Sequence, residues 1–160
     1  MLHIRNLEKR EIEFFTDMFY ESIHIPENKP PKDVLINESH LKKYHEGWGR
    51  AGDCALMAIL NNEPVGAAWY RLFNADHPGY GFVDANTPEL GIAITENARG
   101  KGVGTKLMNA LIQHAREHGH PAISLSVDPE NQSAVHVYQK LGFRECGGEG
   151  TSITMVLEFD

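Results

Sequence analysis

Between Ile92 and Leu107 the chain reads Ile-Ala-Ile-Thr-Glu-Asn-Ala-Arg-Gly-Lys-Gly-Val-Gly-Thr-Lys-Leu. An apolar strand runs into a glycine-rich turn, and the turn opens directly into an amphipathic helix. Glycines alternate at Gly100, Gly102 and Gly104, flanked by the cations Arg99, Lys101 and Lys106. Alternate glycines clear side chains from a backbone that a ligand must approach closely, and amides at a helix N-terminus form an anion site. A pyrophosphate suits such a turn. A P-loop would need lysine directly after its last glycine, whereas Gly104 is followed by Thr105 and then Lys106. The dinucleotide fingerprint also fails, because Thr105 or Leu107 stands where its third glycine belongs.

The spacing that does fit is Arg/Gln-x-x-Gly-x-Gly, read from Arg99 to Gly104. It resembles the pyrophosphate loop of the GNAT superfamily of acyl-CoA-dependent N-acetyltransferases. A second segment, Asn131 to Phe143, resembles the other signature of that family, Asn-x-x-Ala-x-x-x-Tyr-x-Lys-x-Gly-Phe. It supplies Asn131, Ala134, Tyr138, Lys140, Gly142 and Phe143 in order, about one strand downstream of the first motif. An amphipathic core helix alone would account for the apolar spacing of Ala134, Val137, Tyr138 and Leu141, but not for its pairing with the glycine turn. Asn131 suits a helix N-cap and Gly142 a helix stop.

The chain of 160 residues is long enough for one compact domain and short for two, so residues 1–160 read as a single domain. With 41% hydrophobic and 23% charged residues it is an ordinary globular composition. A net charge of -7 argues against nonspecific nucleic-acid binding, which needs a basic footprint. No segment reads as a signal peptide or a membrane span. Cys54 and Cys146 are too few and too separated for a disulfide framework or zinc site, which points to reduced thiols and a cytoplasmic protein.

Patterns along the chain predict a mixed α/β order. A strand at Leu2–Leu7 is followed by a helix over 9–23 and a second over 33–46. Strands at 55–60 and 65–73 join at Asn61-Asn62-Glu63, a hairpin signal. The long connection from Asn74 to Pro88 is rich in Gly, Pro, Asp and Asn and carries Tyr80 and Phe82; loops of that length are usually functional or partly structured. A strand over 89–95, a helix over 102–118 and a strand over 123–127 should form a right-handed parallel crossover. The helix around Tyr138 and two closing strands complete the order. It resembles the GNAT fold over nearly the whole chain: a mixed, mostly antiparallel sheet with a central, splayed pair of parallel strands and flanking helices.

The resemblance implies a site. The open edge of Ile92, Ala93 and Ile94 would hold the pantetheine arm of acetyl-CoA by strand-like hydrogen bonds, and an amide near Ile94 would polarise the thioester carbonyl. Amides of Arg99, Gly100, Lys101, Gly102, Val103, Gly104 and Thr105 would take the pyrophosphate. Asn131 would bond the pantetheine arm, Ser133 would cap its helix or touch the pyrophosphate, and Tyr138 would protonate the departing thiolate or simply hold the cofactor. Glu89 is the candidate base, the alternative being a solvated strand-end residue; Asp84 and His77 are weaker candidates. His114 and His118 share a helical face, yet no third metal ligand accompanies them and no metal is expected.

These readings amount to direct acetyl transfer from acetyl-CoA to a primary amine, on a small molecule or a protein N-terminus, by a monomer or homodimer. A non-catalytic acyl-CoA sensor and a longer-chain acyl donor are the alternatives. Glu13, Asp17 and Glu21 form a stripe at four-residue spacing, either a cation-attracting field or a solvated face.

Overall fold

The computed structural model describes residues 1–160, except for the side chain of Glu149. Seven strands form one sheet in the order β1-β2-β3-β4-β5-β7-β6, antiparallel except for the neighbours β4 and β5. Packing divides the chain into two compact units, Met1–Tyr70 with Gly91–Leu111, and Arg71–Leu90 with Ile112–Asp160. Strand β4 (Glu89–Ile94) and helix α4 (Val103–Glu117) contribute to both.

The first unit contains β1 (Leu2–Asn6), β2 (Cys54–Leu60) and β3 (Glu63–Arg71, as far as Tyr70), paired in an antiparallel meander. Asn61 and Asn62 turn the β2–β3 hairpin at φ of 51° and 69°, as a two-residue turn matched to the twist of its strands requires. Helix α1 (Ile12–Ser22) follows a 3₁₀ turn at Lys9–Glu11. Glu11 ties this start down: its carboxylate accepts the Glu8 N–H and both Arg5 Nη groups, at 2.8 and 2.7 Å, and that pairing holds it near a pKa of about 2. Phe15 and Phe19, one turn apart on α1, bury themselves against Trp69 of β3. Trp48 and Tyr44 close over them from the loop side.

The single helix expected over 33–46 is instead two short ones, α2 (Lys32–Leu35) and α3 (Ser39–Lys42). Side chains intercept the carbonyls that a continuous helix would use. Asn37 Nδ2 donates to Asp33 O at 2.7 Å, and His45 Nε2 bonds Ile36 O at 2.8 Å. Asparagine competes for backbone in this way wherever it can, which apolar periodicity does not register. Lys32, at the head of α2, reaches two members of the acidic stripe on α1, Asp17 at 2.7 Å and Glu13 at 3.1 Å. The stripe is therefore not an uncompensated field.

In the second unit β5 (Ala122–Val127) pairs with β7 (Ser152–Glu158), which pairs with β6 (Arg144–Glu149), both antiparallel. Glu89, the first residue of β4, lies opposite Ser124 in the parallel ladder. Helix α5 (Gln132–Lys140) ends where Gly142 N–H bonds Gln139 O and Phe143 N–H bonds Tyr138 O, the paired bonds of a Schellman stop. Within α4 the four-residue series Val103, Leu107, Leu111 and Ala115 is buried, as its apolar pattern requires.

Candidate functional site

In the first unit, Thr95 N–H donates to Val65 O at 2.8 Å and holds the end of β4 against β3. A 3₁₀ turn at Glu96–Ala98 then carries the chain into the glycines. Gly100 and Gly102 both adopt φ of +78°, which side-chain-bearing residues rarely enter, and a Cβ built at either meets no atom within 4 Å. The turn is thus an open cradle formed by backbone alone. Gly104 differs: its φ is ordinary, and a Cβ there would sit 3.8 Å from Ile94 Cγ1, an unstrained contact. Its missing side chain is no conformational need.

The first intrahelical bond of α4 runs from Lys106 N–H to Gly102 O. The amides of Val103, Gly104 and Thr105 precede it and have no acceptor within the helix, so the start of this fifteen-residue helix presents donors and the positive end of its dipole. Arg99 spends its Nε on Ile94 O at 3.2 Å, and Lys101 is exposed beside the cradle. Ala93 is buried, while Ile92 and Ile94 are partly exposed. This donor set fits a diphosphate.

In the second unit, Tyr138 lies two turns into α5, half-buried, its ring tilted against Phe143 with centroids 6.0 Å apart. Burial pushes its hydroxyl up to about 12, so it stays protonated throughout the physiological range. Among the described residues that hydroxyl has no hydrogen-bond partner, and no fully buried side-chain oxygen or nitrogen is unpaired, so the hydroxyl is open to an incoming group. Asn131 occupies the N-cap position of α5 but makes no side-chain cap bond. Its Oδ1 instead accepts the Ser133 hydroxyl at 3.4 Å. Asn131 therefore does not cap the helix through its side chain, and the Ser133 hydroxyl is directed to Asn131.

Glu89 is 5% exposed, which overturns its reading as a solvated strand end. Its Oε1 accepts the N–H of Gly81 at 3.0 Å, and the Gly81 carbonyl accepts the Ser124 hydroxyl at 2.7 Å. A Cβ at Gly81 would lie 2.6 Å from the Leu125 carbonyl carbon, so only glycine lets the connection lie this close to β5. Thr154 Oγ1 adds a bond to Tyr80 O at 3.3 Å. The long connection is therefore docked on the sheet of its own unit. Gly81, Ser124 and Thr154 escaped the sequence reading; the glycine between two aromatics, Tyr80-Gly81-Phe82, was the available signal.

An open pocket of about 370 Å³ lies between this connection and β6, lined by Tyr80, Phe82 and Val83 on one side and by Cys146, Gly147 and Thr154 on the other. Among the described residues no group of three or more His, Cys, Asp or Glu is arranged to hold a metal ion. His114 and His118 stack at 3.9 Å, and His118 Nδ1 bonds the His114 carbonyl. No helix among the described residues is long and apolar enough to cross a membrane.

Residues 12–143 match the model of the acetyltransferase (GNAT) family. The chain belongs to that family. It is 34% identical over 98 residues to a mycothiol acetyltransferase of Paenarthrobacter aurescens, covering 61% of this chain and 29% of that protein. It is also 34% identical over 97 residues to the L-amino acid N-acyltransferase MnaT of Escherichia coli, covering 60% of this chain and 55% of that one. The chain therefore spans between about a quarter and just over half of the length of such curated relatives.

Among solved structures, the putative acetyltransferase YncA of Salmonella typhimurium, solved with acetyl-CoA, superposes with a TM-score of 0.74 at 20% identity, covering 100% of this chain and 95% of that one. A ribosomal-protein-alanine N-acetyltransferase of Brucella melitensis gives 0.73 at 22%, covering 98% and 99%. At such identities the likeness is one of fold. The mixed sheet with its parallel β4–β5 pair, expected from the order of elements, is the architecture found.

Proposed function

We propose that residues 1–160 form one acetyltransferase domain that transfers an acetyl group from acetyl-CoA to a primary amine by direct attack in a ternary complex. The glycine cradle ahead of α4 carries this reading, since two left-handed glycines facing open space beside unbonded helix amides suit a pyrophosphate. The backbone of Ile92, Ala93 and Ile94 would receive the pantetheine arm. The amides from Arg99 to Thr105 would hold the diphosphate, with Lys101 adding charge. Asn131, with Ser133 steadying its amide group, would bond the arm from α5.

In this reaction the amine nitrogen forms a bond to the acetyl carbon, the carbon–sulfur bond breaks, and coenzyme A leaves as a thiolate. Tyr138 would donate the proton that this sulfur takes, and its protonated hydroxyl without a protein partner suits that task. Glu89 would take the proton lost by the amine. Because its carboxylate is buried and engaged with Gly81, that transfer would run through water rather than direct contact. Neither cysteine suits an acyl-enzyme route: burial pushes the Cys54 thiol up to about 12, and partial burial also raises Cys146. Both are unpaired thiols, which fits a cytoplasmic setting. A small-molecule or N-terminal amine is the acceptor class, and a monomer or homodimer the expected assembly.

Turnover of acetyl-CoA with an amine panel tests the proposal. Tyr138→Phe should lower the turnover number by roughly 10²–10⁴-fold while acetyl-CoA binding, measured by calorimetry, holds. Tight acetyl-CoA binding with no turnover on any amine would make the chain a binding module. An unchanged turnover number in the variant, where chemistry limits the rate, would remove Tyr138 from the acid role.

A further inference from the structure

The pocket between the long connection and β6 has a composition that selects among amines. Its volume of about 370 Å³ lies near the lower end of ordinary ligand sites, roughly 300–1,000 Å³, and suits a body the size of one amino acid. Tyr80, Phe82 and Val83 give it an aromatic and aliphatic wall. Opposite them stand Cys146, the backbone of Gly147 and Gly148, and the Thr154 hydroxyl, which already donates to Tyr80 O. None of the described residues lining it carries a charge. Among the described lining residues no carboxylate would compensate a second ammonium for the water it lost, which is costly. An apolar body would gain by burial.

The pocket is also coupled to Glu89. Tyr80 and Phe82 flank Gly81, whose N–H is held by the Glu89 carboxylate and whose carbonyl is held by Ser124. The peptide that shapes one wall is thus fixed to the residue proposed to receive the amine's proton.

We infer that this pocket seats the uncharged body of the acceptor, so that the preferred substrate is a primary monoamine with a compact apolar group, and polyamines are disfavoured. The inference rests on the transfer reading above. It assigns specificity to Tyr80, Phe82, Val83 and Gly147, none of which belongs to the family signatures quoted for the cofactor.

Gly147 supplies the cleanest test, because it has an ordinary φ and a Cβ there meets nothing within 4 Å. Gly147→Leu should therefore fold, which its thermal midpoint checks, and should fill the pocket. With 2-phenylethylamine as acceptor its KM should rise by about tenfold or more, the scale set by single-methylene discrimination in apolar pockets, while the KM for acetyl-CoA holds. Wild type should prefer 2-phenylethylamine over spermidine in kcat/KM, and Val83→Asp should shift that preference toward spermidine. A wild type that prefers spermidine, or a folded Gly147→Leu with unchanged acceptor KM, overturns the inference and leaves acetyl transfer standing. If the protein binds no acetyl-CoA, the transfer reading fails instead. Calorimetry with 2-phenylethylamine alone then decides the pocket: binding lost in Gly147→Leu supports it, and binding equal in both proteins, or absent from wild type, overturns it.

Discussion

The turn from Arg99 to Thr105 and the connection from Asn74 to Pro88 both depend on glycine, for opposite reasons. Gly100 and Gly102 are needed for their own backbone angles, and the space around them is empty. Gly81 has no unusual φ, yet it has no room for a methyl group, because the backbone of Leu125 stands against it. The first requirement is local and shows as a spaced motif. The second arises from a distant stretch of chain, at Leu125 and Ser126, and leaves only a glycine among other loop residues. An open cradle leaves room for a ligand, whereas a crowded glycine serves docking.

The largest structural effect should separate these two roles. Gly81→Ala places a Cβ 2.6 Å from backbone that cannot swing aside, and overpacking of this kind costs about 1–3 kcal/mol. Chemical denaturation should register that loss, with acetyl-CoA affinity of the remaining folded protein close to wild type. An unshifted midpoint would mean that the connection does not dock on β5 as described.

Gly104→Val should do the reverse. Its Cβ is sterically acceptable, so the thermal midpoint should hold, while the branched side chain at the head of α4 crowds the diphosphate. A loss of about tenfold in acetyl-CoA affinity, near 1.4 kcal/mol, is the expected reading by calorimetry. Full affinity in a folded variant would move the diphosphate away from this turn. The smallest effect is expected from Ser124→Ala, which removes the 2.7 Å bond to the Gly81 carbonyl and should cost about 0.5–1.5 kcal/mol of stability. If the comparison is right, this loss and that of Gly81→Ala are not additive, because both act on one peptide.

Much of the fold was legible because its parts are short-range. The hairpin at Asn61-Asn62, the burial series along α4 and the stop at Gly142 each follow from conformational preferences within a few residues. What the sequence misread or left open has a different origin. The helix expected over 33–46 breaks because Asn37 and His45 take its carbonyls, a choice between hydrogen-bond partners that periodicity does not encode. For Glu89 the sequence leaves a candidate base or a solvated strand end, and the second fails because a connection folded back from Gly81 covers it. The stripe on α1, a field or a solvated face by sequence, is partly compensated by Lys32, 15 residues beyond Asp17, which only the turn through Pro26–Pro31 brings against it.

By itself the sequence determined the element order, the family signatures and the chemistry on offer: a left-handed glycine turn before a helix, and a tyrosine two turns into the next one. Backbone angles and helix ends depend on near neighbours, so these could be read along the chain. Tertiary structure alone decided that Glu89 is buried and bonded, and that Tyr80, Phe82 and Val83 face β6 across a pocket with no charge among its described lining residues. Those outcomes depend on which distant surfaces meet, and burial and hydrogen-bond pairing are properties of that meeting rather than of any residue type.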